Sequence, residues 1–268
     1  MISGPDERDE DERDEDEGDG VEGGEVERGE VERDDAQAAP SVTRRDSAMN
    51  LSTLSYAVVD VETTGGSPRT GHRVTEIAAV IVRDGEIVEI YEQLVNPDRP
   101  IPMFITQLTG IHDRMVWDAP RFADIVPDVV MSLAGNVFVA HNAPFDWRFV
   151  SAELERAVGK TPTALTLCTV RLARALPPHL PRKTLDHVAH HYGVQNVATR
   201  YALKRGTRHS AAGDAIVTAH CLLRLIDDAA NRGITTWDDV QRALRKAGAH
   251  RGRRWTATPS STLDDRTA

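Results

Sequence analysis

Residues 55–65 read SYAVVDVETTG. The first seven form a short, Val-rich apolar run of the kind that makes a buried strand. Two acids break its apolar character. Side chains alternate along a strand, so Asp60 and Glu62 project from one face. Taking unpaired carboxylates out of water costs on the order of several kcal/mol, or forces their protonation. A divalent cation removes the conflict, because Mg²⁺ favours oxygen ligands. An isolated Asp-x-Glu pair at a strand end can equally well face solvent, so its meaning depends on the rest of the chain.

Working outward, Val74–Arg83 and Glu86–Val95 are β-branched runs joined by Asp84-Gly85, a dipeptide suited to a two-residue hairpin turn with positive φ. A further strand is predicted over Asn136–Ala140, and a fifth over Ala164–Thr169. Helical spacing of Phe122, Ile125, Val126, Val129, Val130 and Leu133 predicts a helix over Ala119–Ala134, ended by Gly135. Pro144 suits a first helical turn, and this helix runs to Val158 with Gly159 at its end. Later helices are expected over 169–176, 184–192, 210–231 and 236–247, with a polar tail after them. The order is an opening antiparallel meander followed by βαβ crossovers. It implies an α/β fold, a mixed five-stranded sheet flanked by helices, in a single domain.

Two more acids fall at helix starts. Asp146 ends the stretch His141-Asn142-Ala143-Pro144-Phe145-Asp146, where a buried strand turns into a helix. Asp214 ends His209-Ser210-Ala211-Ala212-Gly213-Asp214, whose small residues allow a helix backbone to approach a neighbour closely. Asp146 alone is explained by the favourable placement of negative charge near a helix N-terminus, worth roughly 0.3–1 kcal/mol, and Asp214 alone by a solvated helix acid. Together, two strand acids, two helix-start acids and a nearby histidine match what hydrolysis of a phosphodiester by two divalent ions about 4 Å apart requires. An imidazole beside such ions can take a proton from water near neutral pH.

Composition sets the remaining bounds. The formal charge of the whole chain is −10, which argues against a nucleic-acid partner if read as one number. Residues 1–40 hold 18 Asp and Glu against 4 Arg; removing them from totals of 42 acidic and 32 basic residues leaves 24 and 28. The remainder is mildly basic, and phosphate binding stays open to it. Residues 1–48 carry almost no large apolar side chains and repel one another, so they read as a disordered acidic low-complexity tail. Such a tail serves solubility or, in a sharper reading, imitates DNA in front of a basic groove. Two cysteines, Cys168 and Cys221, fit a reducing compartment better than a disulfide scaffold. The residues after Met1 show neither a basic n-region nor an apolar h-region, and no apolar run is long enough to span a bilayer. A cytoplasmic protein with no membrane partner is the expectation.

The motifs Val59-Asp60-Val61-Glu62-Thr63-Thr64-Gly65, His141-Asn142-Ala143-Pro144-Phe145-Asp146 and His209-Ser210-Ala211-Ala212-Gly213-Asp214 resemble those of the DEDDh branch of DnaQ-like 3′–5′ exonucleases. This family includes the proofreading ε subunit of bacterial DNA polymerase III. The five-residue step from His209 to Asp214 is that of the DEDDh branch, and Leu108-Thr109-Gly110-Ile111 adds a fourth similarity. The resemblance runs from Ser55 to about Arg232, within an exonuclease domain placed at 49–232, and leaves 233–268 as a C-terminal helix and polar tail. It implies an RNase H-like fold and two divalent cations, Mg²⁺ or Mn²⁺. Asp60 would bridge both ions, Glu62 and Asp214 would bind the ion that activates water, Asp146 the other, and His209 would be the general base. Thr63, Thr64, Leu108, Thr109, His141 and Phe145 match positions near the terminal nucleotide. The implied substrate is a single-stranded or frayed 3′ end of DNA, in proofreading or repair, with a DNA polymerase III catalytic subunit as a candidate partner. The acidic tail is not a family feature, and no clear polymerase- or clamp-binding peptide follows residue 232.

Two alternatives keep the same motifs. An RNA 3′-end trimmer differs only in contacts to the 2′-OH. A catalytically silent module that holds 3′ ends for a polymerase would have lost an acid or the histidine, and all five are present. The basic stretch Arg200–Arg208 before His209 is expected to lie where a phosphate backbone passes, with Lys204 and Arg205 touching it. His187 and His191 share a helix face, but no third zinc ligand accompanies them and no Glu stands between them in a zincin pattern.

Overall fold

The computed structural model describes residues 49–160, 162–177, 180–206 and 209–254, with side chains described to residue 247. The acidic tail of residues 1–48 and the last residues, 255–268, lie outside it.

The opening run forms β1 (Tyr56–Thr63), followed by β2 (Val74–Arg83) and β3 (Glu86–Leu94). Asp84 and Gly85 take φ of 51° and 80°, the doubly positive turn that matches the twist of two paired strands. β1 pairs antiparallel with β2, and β2 with β3. On its other edge β1 pairs in parallel with β4 (Val137–Ala140), which pairs in parallel with β5 (Thr166–Cys168). The sheet order is β3-β2-β1-β4-β5, so the acid-bearing strand is central and buried on both faces. β3 is an edge strand and carries Glu86, Glu89 and Glu92 on largely exposed positions, which discourages pairing with another chain.

The period of two divides the core. Tyr56, Val58, Ala78 and Val80 face one way and pack against α5 (Thr169–Ala175), α6 (Leu185–Tyr192), α7 (Ala211–Ala230) and α8 (Trp237–Arg254). Ala57, Val59, Val61, Ile77, Ala79 and Ile81 face the other way, against α3 (Val126–Leu133) and α4 (Ala143–Val158). Phe138, Phe149, Ile77 and Leu222 are fully buried, and each such side chain contributes about 1.5–3 kcal/mol of hydrophobic stabilisation. Trp237, Val240 and Leu244 of α8 belong to the same cluster as α7.

Three elements differ from expectation. The helix expected over Ala119–Ala134 is a 3-10 turn at Phe122–Ile125 followed by α3, because Pro127 occupies the first turn of α3 and supplies no N–H to a helix running in from residue 119. Two short helices, α1 (Met103–Thr109) and α2 (Asp113–Val116), were not expected. α1 is only 7 residues long, exposes Met103, Phe104 and Leu108, and buries Ile105 alone of its apolar residues, too little for helical spacing to show. Gly110, at φ 73°, ends it and donates its N–H to Thr106.

Candidate active site

β1 runs out of the sheet at its C-terminal end, where the register shifts between Glu62 and Thr63. Asp60 and Glu62 stand there on the face covered by α7. The first turn of α7 is Ala211-Ala212-Gly213, all buried, so its backbone lies close over β1 and β2. This close approach brings Asp214 to the strand acids. One carboxylate oxygen each from Asp60, Glu62 and Asp214 lies within 4.8 Å of the others.

Asp146 comes from the other layer. It sits in the first turn of α4 and is 3% exposed, with Oδ1 accepting the Val61 N–H at 3.3 Å. Its carboxylate thus reaches the strand between Asp60 and Glu62. The turn before α4 places Asn142 at φ 84°, and the turn before α7 places His209 at φ 52°. A non-glycine residue in the left-handed region costs of order 1–3 kcal/mol and persists only where its surroundings fix it. His209 itself is exposed, with buried Ser210 beside it. The Ser210 hydroxyl caps α7 by accepting the Gly213 N–H, and it donates to the Gly206 carbonyl at 2.5 Å.

The acids crowd one another. Burial, then the charges of Asp146, Glu62, Asp214 and Glu76, holds the Asp60 carboxyl well above the usual carboxylate range. Glu62 is pushed up to about 8 by burial first and by Glu76, Asp214 and Asp146 after it, with Arg205 opposing. Asp146 rises to about 8 by burial, against the hydrogen bonds of its own amide and that of Val61. Such a set is unstable as bare anions, and its donors are all hard oxygens. Asp60, Glu62 and Asp214 could hold a hard divalent cation, with Asp146 at the edge of the group.

The residues matched to positions near a terminal nucleotide divide into two groups. Leu108 is 63% exposed at the end of α1, and Phe145 is half-buried against Phe149 with ring centroids 5.1 Å apart. The others have their polar atoms engaged within the protein. Thr63 donates to the Gly65 carbonyl at 2.8 Å. The Thr64 hydroxyl accepts the Arg73 N–H at 3.0 Å and meets His72 Nδ1 at 3.2 Å. Thr109 bonds back to the Ile105 carbonyl. His141 Nε2 lies 2.9 Å from the Lys183 carbonyl, so it carries the proton, and Nδ1 is left to accept from the Thr169 hydroxyl, also at 2.9 Å. In this arrangement His141 orients the strand-to-helix turn.

The basic stretch departs from expectation. Lys204 Nζ donates to the Glu92 carbonyl at 2.9 Å. Arg205 is spent on Glu76 and on the Thr109 carbonyl. Both cations are thus engaged within the protein; Thr207 and Arg208 lie outside the described residues. Sequence reasoning also passed over Glu153 of α4, 2% exposed, which holds Arg73 through two bonds of 2.7 and 3.0 Å. A charged residue inside the otherwise buried α4 face was the available signal. Among the described residues no metal-binding group includes His187 or His191, and His187 is engaged by Thr184 at 2.7 Å.

Comparison with known proteins bears on this geometry. The RNase_T family model, described as an exonuclease, matches residues 57–222, which span all four acids and His209. The chain is 36% identical over 172 residues to the 3′-5′ exonuclease DinG of Bacillus subtilis, covering 64% of this chain and 18% of that protein. It is 36% identical over 200 residues to a DNA polymerase III subunit epsilon-like protein of Rhodobacter capsulatus, covering 74% of this chain and 27% of that one. The chain thus spans less than a third of the length of either relative. Among solved structures, the nuclease domain of 3′hExo, a DEDDh family member bound to rAMP, superposes with a TM-score of 0.54 at 18% identity, covering 67% of this chain and 94% of that one. At that identity the likeness concerns the fold alone, a mixed five-stranded sheet flanked by helices. Within the described residues no helix is long and apolar enough to cross a membrane.

Proposed function

Since the chain belongs to the RNase_T exonuclease family, we propose that it hydrolyses DNA from the 3′ end and releases nucleoside monophosphates. The observation that carries this reading is the convergence of Asp60, Glu62 and Asp214 within 4.8 Å, with Asp146 bonded to the intervening strand. The silent-module alternative has no use for so unfavourable a cluster.

Two divalent cations would be held there, Asp60 reaching both, Glu62 and Asp214 one, and Asp146 the other. When bound they would supply charge to activate water and to offset the leaving 3′-oxyanion. The protein's own contribution is placement. Backbone pairing with β2 fixes Asp60 and Glu62, and Asp146 is fixed by the Val61 amide. His209, exposed on the α7 approach, accepts the proton of the attacking water at its imidazole and returns it to solvent. Leu108 and Phe145 offer apolar contacts to the terminal base and sugar.

A single-stranded or frayed 3′ end suits the site, since the reacting phosphate must reach buried carboxylates. A proofreading or repair role, with a DNA polymerase III catalytic subunit as partner, accords with the relatives named above. The free thiols of Cys168 and Cys221 accord with a cytoplasmic setting. Competition between DNA and RNA of one sequence tests the substrate assignment. With Mg²⁺, kcat/KM should be higher for DNA by at least tenfold; the reverse preference would move the protein to RNA 3′ trimming.

A further inference from the structure

Glu76 has no place in the chemistry above, yet it is 2% exposed and lies beside the site. In the β1–β2 register it stands directly opposite Glu62. Like charges so placed repel, and a second carboxylate at this point needs its own reason. It is not one of the three carboxylates that converge within 4.8 Å. Instead its Oε2 accepts from Arg205 Nη1 at 2.5 Å and from the Ala211 N–H at 2.9 Å. The other arm of Arg205, Nη2, donates to the Thr109 carbonyl at 2.6 Å.

One guanidinium and one carboxylate therefore join four places: the middle of the sheet, the C-terminal end of α1, the segment entering α7, and the first amide of α7. The two tie points on that last stretch are Arg205 and Ala211, and His209 lies between them. Asp214 follows Ala211 by one helical turn. His209 is held at φ 52°, a conformation that its surroundings must impose. We propose that Glu76 and Arg205 are a positioning pair that sets His209 and Asp214 against Asp60 and Glu62, and that Arg205 acts on turnover, not on DNA binding. The proposal rests on the exonuclease reading above.

Arginine is required for its shape. Two acceptors on different elements are met by the two arms of a planar fork, and a lysine ammonium on a flexible stem does not reproduce that span. The full chain carrying Arg205→Lys is the test. Placement errors of about 1 Å in a reacting group cost on the order of 10²-fold in rate. Arg205→Lys should accordingly lower kcat about 10²-fold, with KM for single-stranded DNA and its salt dependence unchanged. Hydrogen exchange of the Ala211 amide should quicken. Arg205→Ala should regain part of its kcat on addition of methylguanidinium. A raised KM with a flattened salt dependence and intact kcat would overturn the proposal and make Arg205 a phosphate contact. Lowered thermal stability with unchanged kcat for the folded enzyme would also overturn it. If the unsubstituted protein cleaves neither DNA nor RNA, the exonuclease reading fails, and the Ala211 exchange alone decides whether the pair holds the α7 approach.

Discussion

Asp60→Asn is expected to abolish strand shortening and, in the metal-free protein, to raise thermal stability. The two effects have one cause. Asp60 is buried among Asp146, Glu62, Asp214 and Glu76, and its carboxyl is held well above the usual range by burial first and by their charges next. Glu62 and Asp146 are pushed up to about 8. A folded state whose acids have raised pKa values binds more protons than the unfolded chain. The contribution of these acids to stability is therefore most favourable at low pH, and falls as pH rises from the ordinary carboxylate range near 4 through about 8. Replacing Asp60 by Asn removes one charge from the crowd. The variant should melt higher than the parent in EDTA, by a margin that widens with pH across that window. Saturating Mn²⁺ should stabilise the parent and leave the variant nearly unmoved. A variant that melts lower in EDTA at pH 8, or that still shortens DNA, would contradict the assignment.

His209→Asn should reduce kcat by roughly 10²–10⁴-fold, the usual contribution of a general base. Asparagine is the informative replacement because it tolerates the left-handed region, so φ 52° is kept while the imidazole is lost. KM for DNA and Mn²⁺ binding should change little, because His209 is neither one of the converging carboxylates nor buried against the strand. Steady-state kinetics over a range of DNA concentrations separates the two constants. Undiminished kcat in His209→Asn would remove the histidine from the reaction.

Much of this arrangement could be read from the sequence because its signals are local. The Val-rich run, the Asp84-Gly85 turn and the alternation along β1 are visible within about ten residues, and they put Asp60 and Glu62 on one face. Pairing partners are not local. Glu76 and Arg205 are 129 positions apart, so neither period nor composition connects them. Half of that pair was accessible all the same. A lone Glu inside a strand buried almost throughout asks for a partner. The partners of the basic stretch are hidden from sequence for a related reason. A run of cations next to a nuclease motif suggests phosphate, but it is the acceptors across the fold, Glu92, Glu76 and the Thr109 carbonyl, that take Lys204 and Arg205. α1 escapes helical periodicity because three of its four apolar residues, Met103, Phe104 and Leu108, are exposed and only Ile105 is buried.

The central claim, metal-dependent removal of nucleotides from a 3′ end, is tested most directly by a gel time course. Purified protein is incubated with 5′-labelled single-stranded DNA in Mg²⁺, in Mn²⁺ and in EDTA, with Asp60→Asn alongside. A ladder that shortens one nucleotide at a time from the 3′ end is expected in either metal, and none in EDTA or with the variant. Internal cuts from the first time points, shortening that persists in EDTA, or intact DNA bound tightly at its 3′ end would each contradict it.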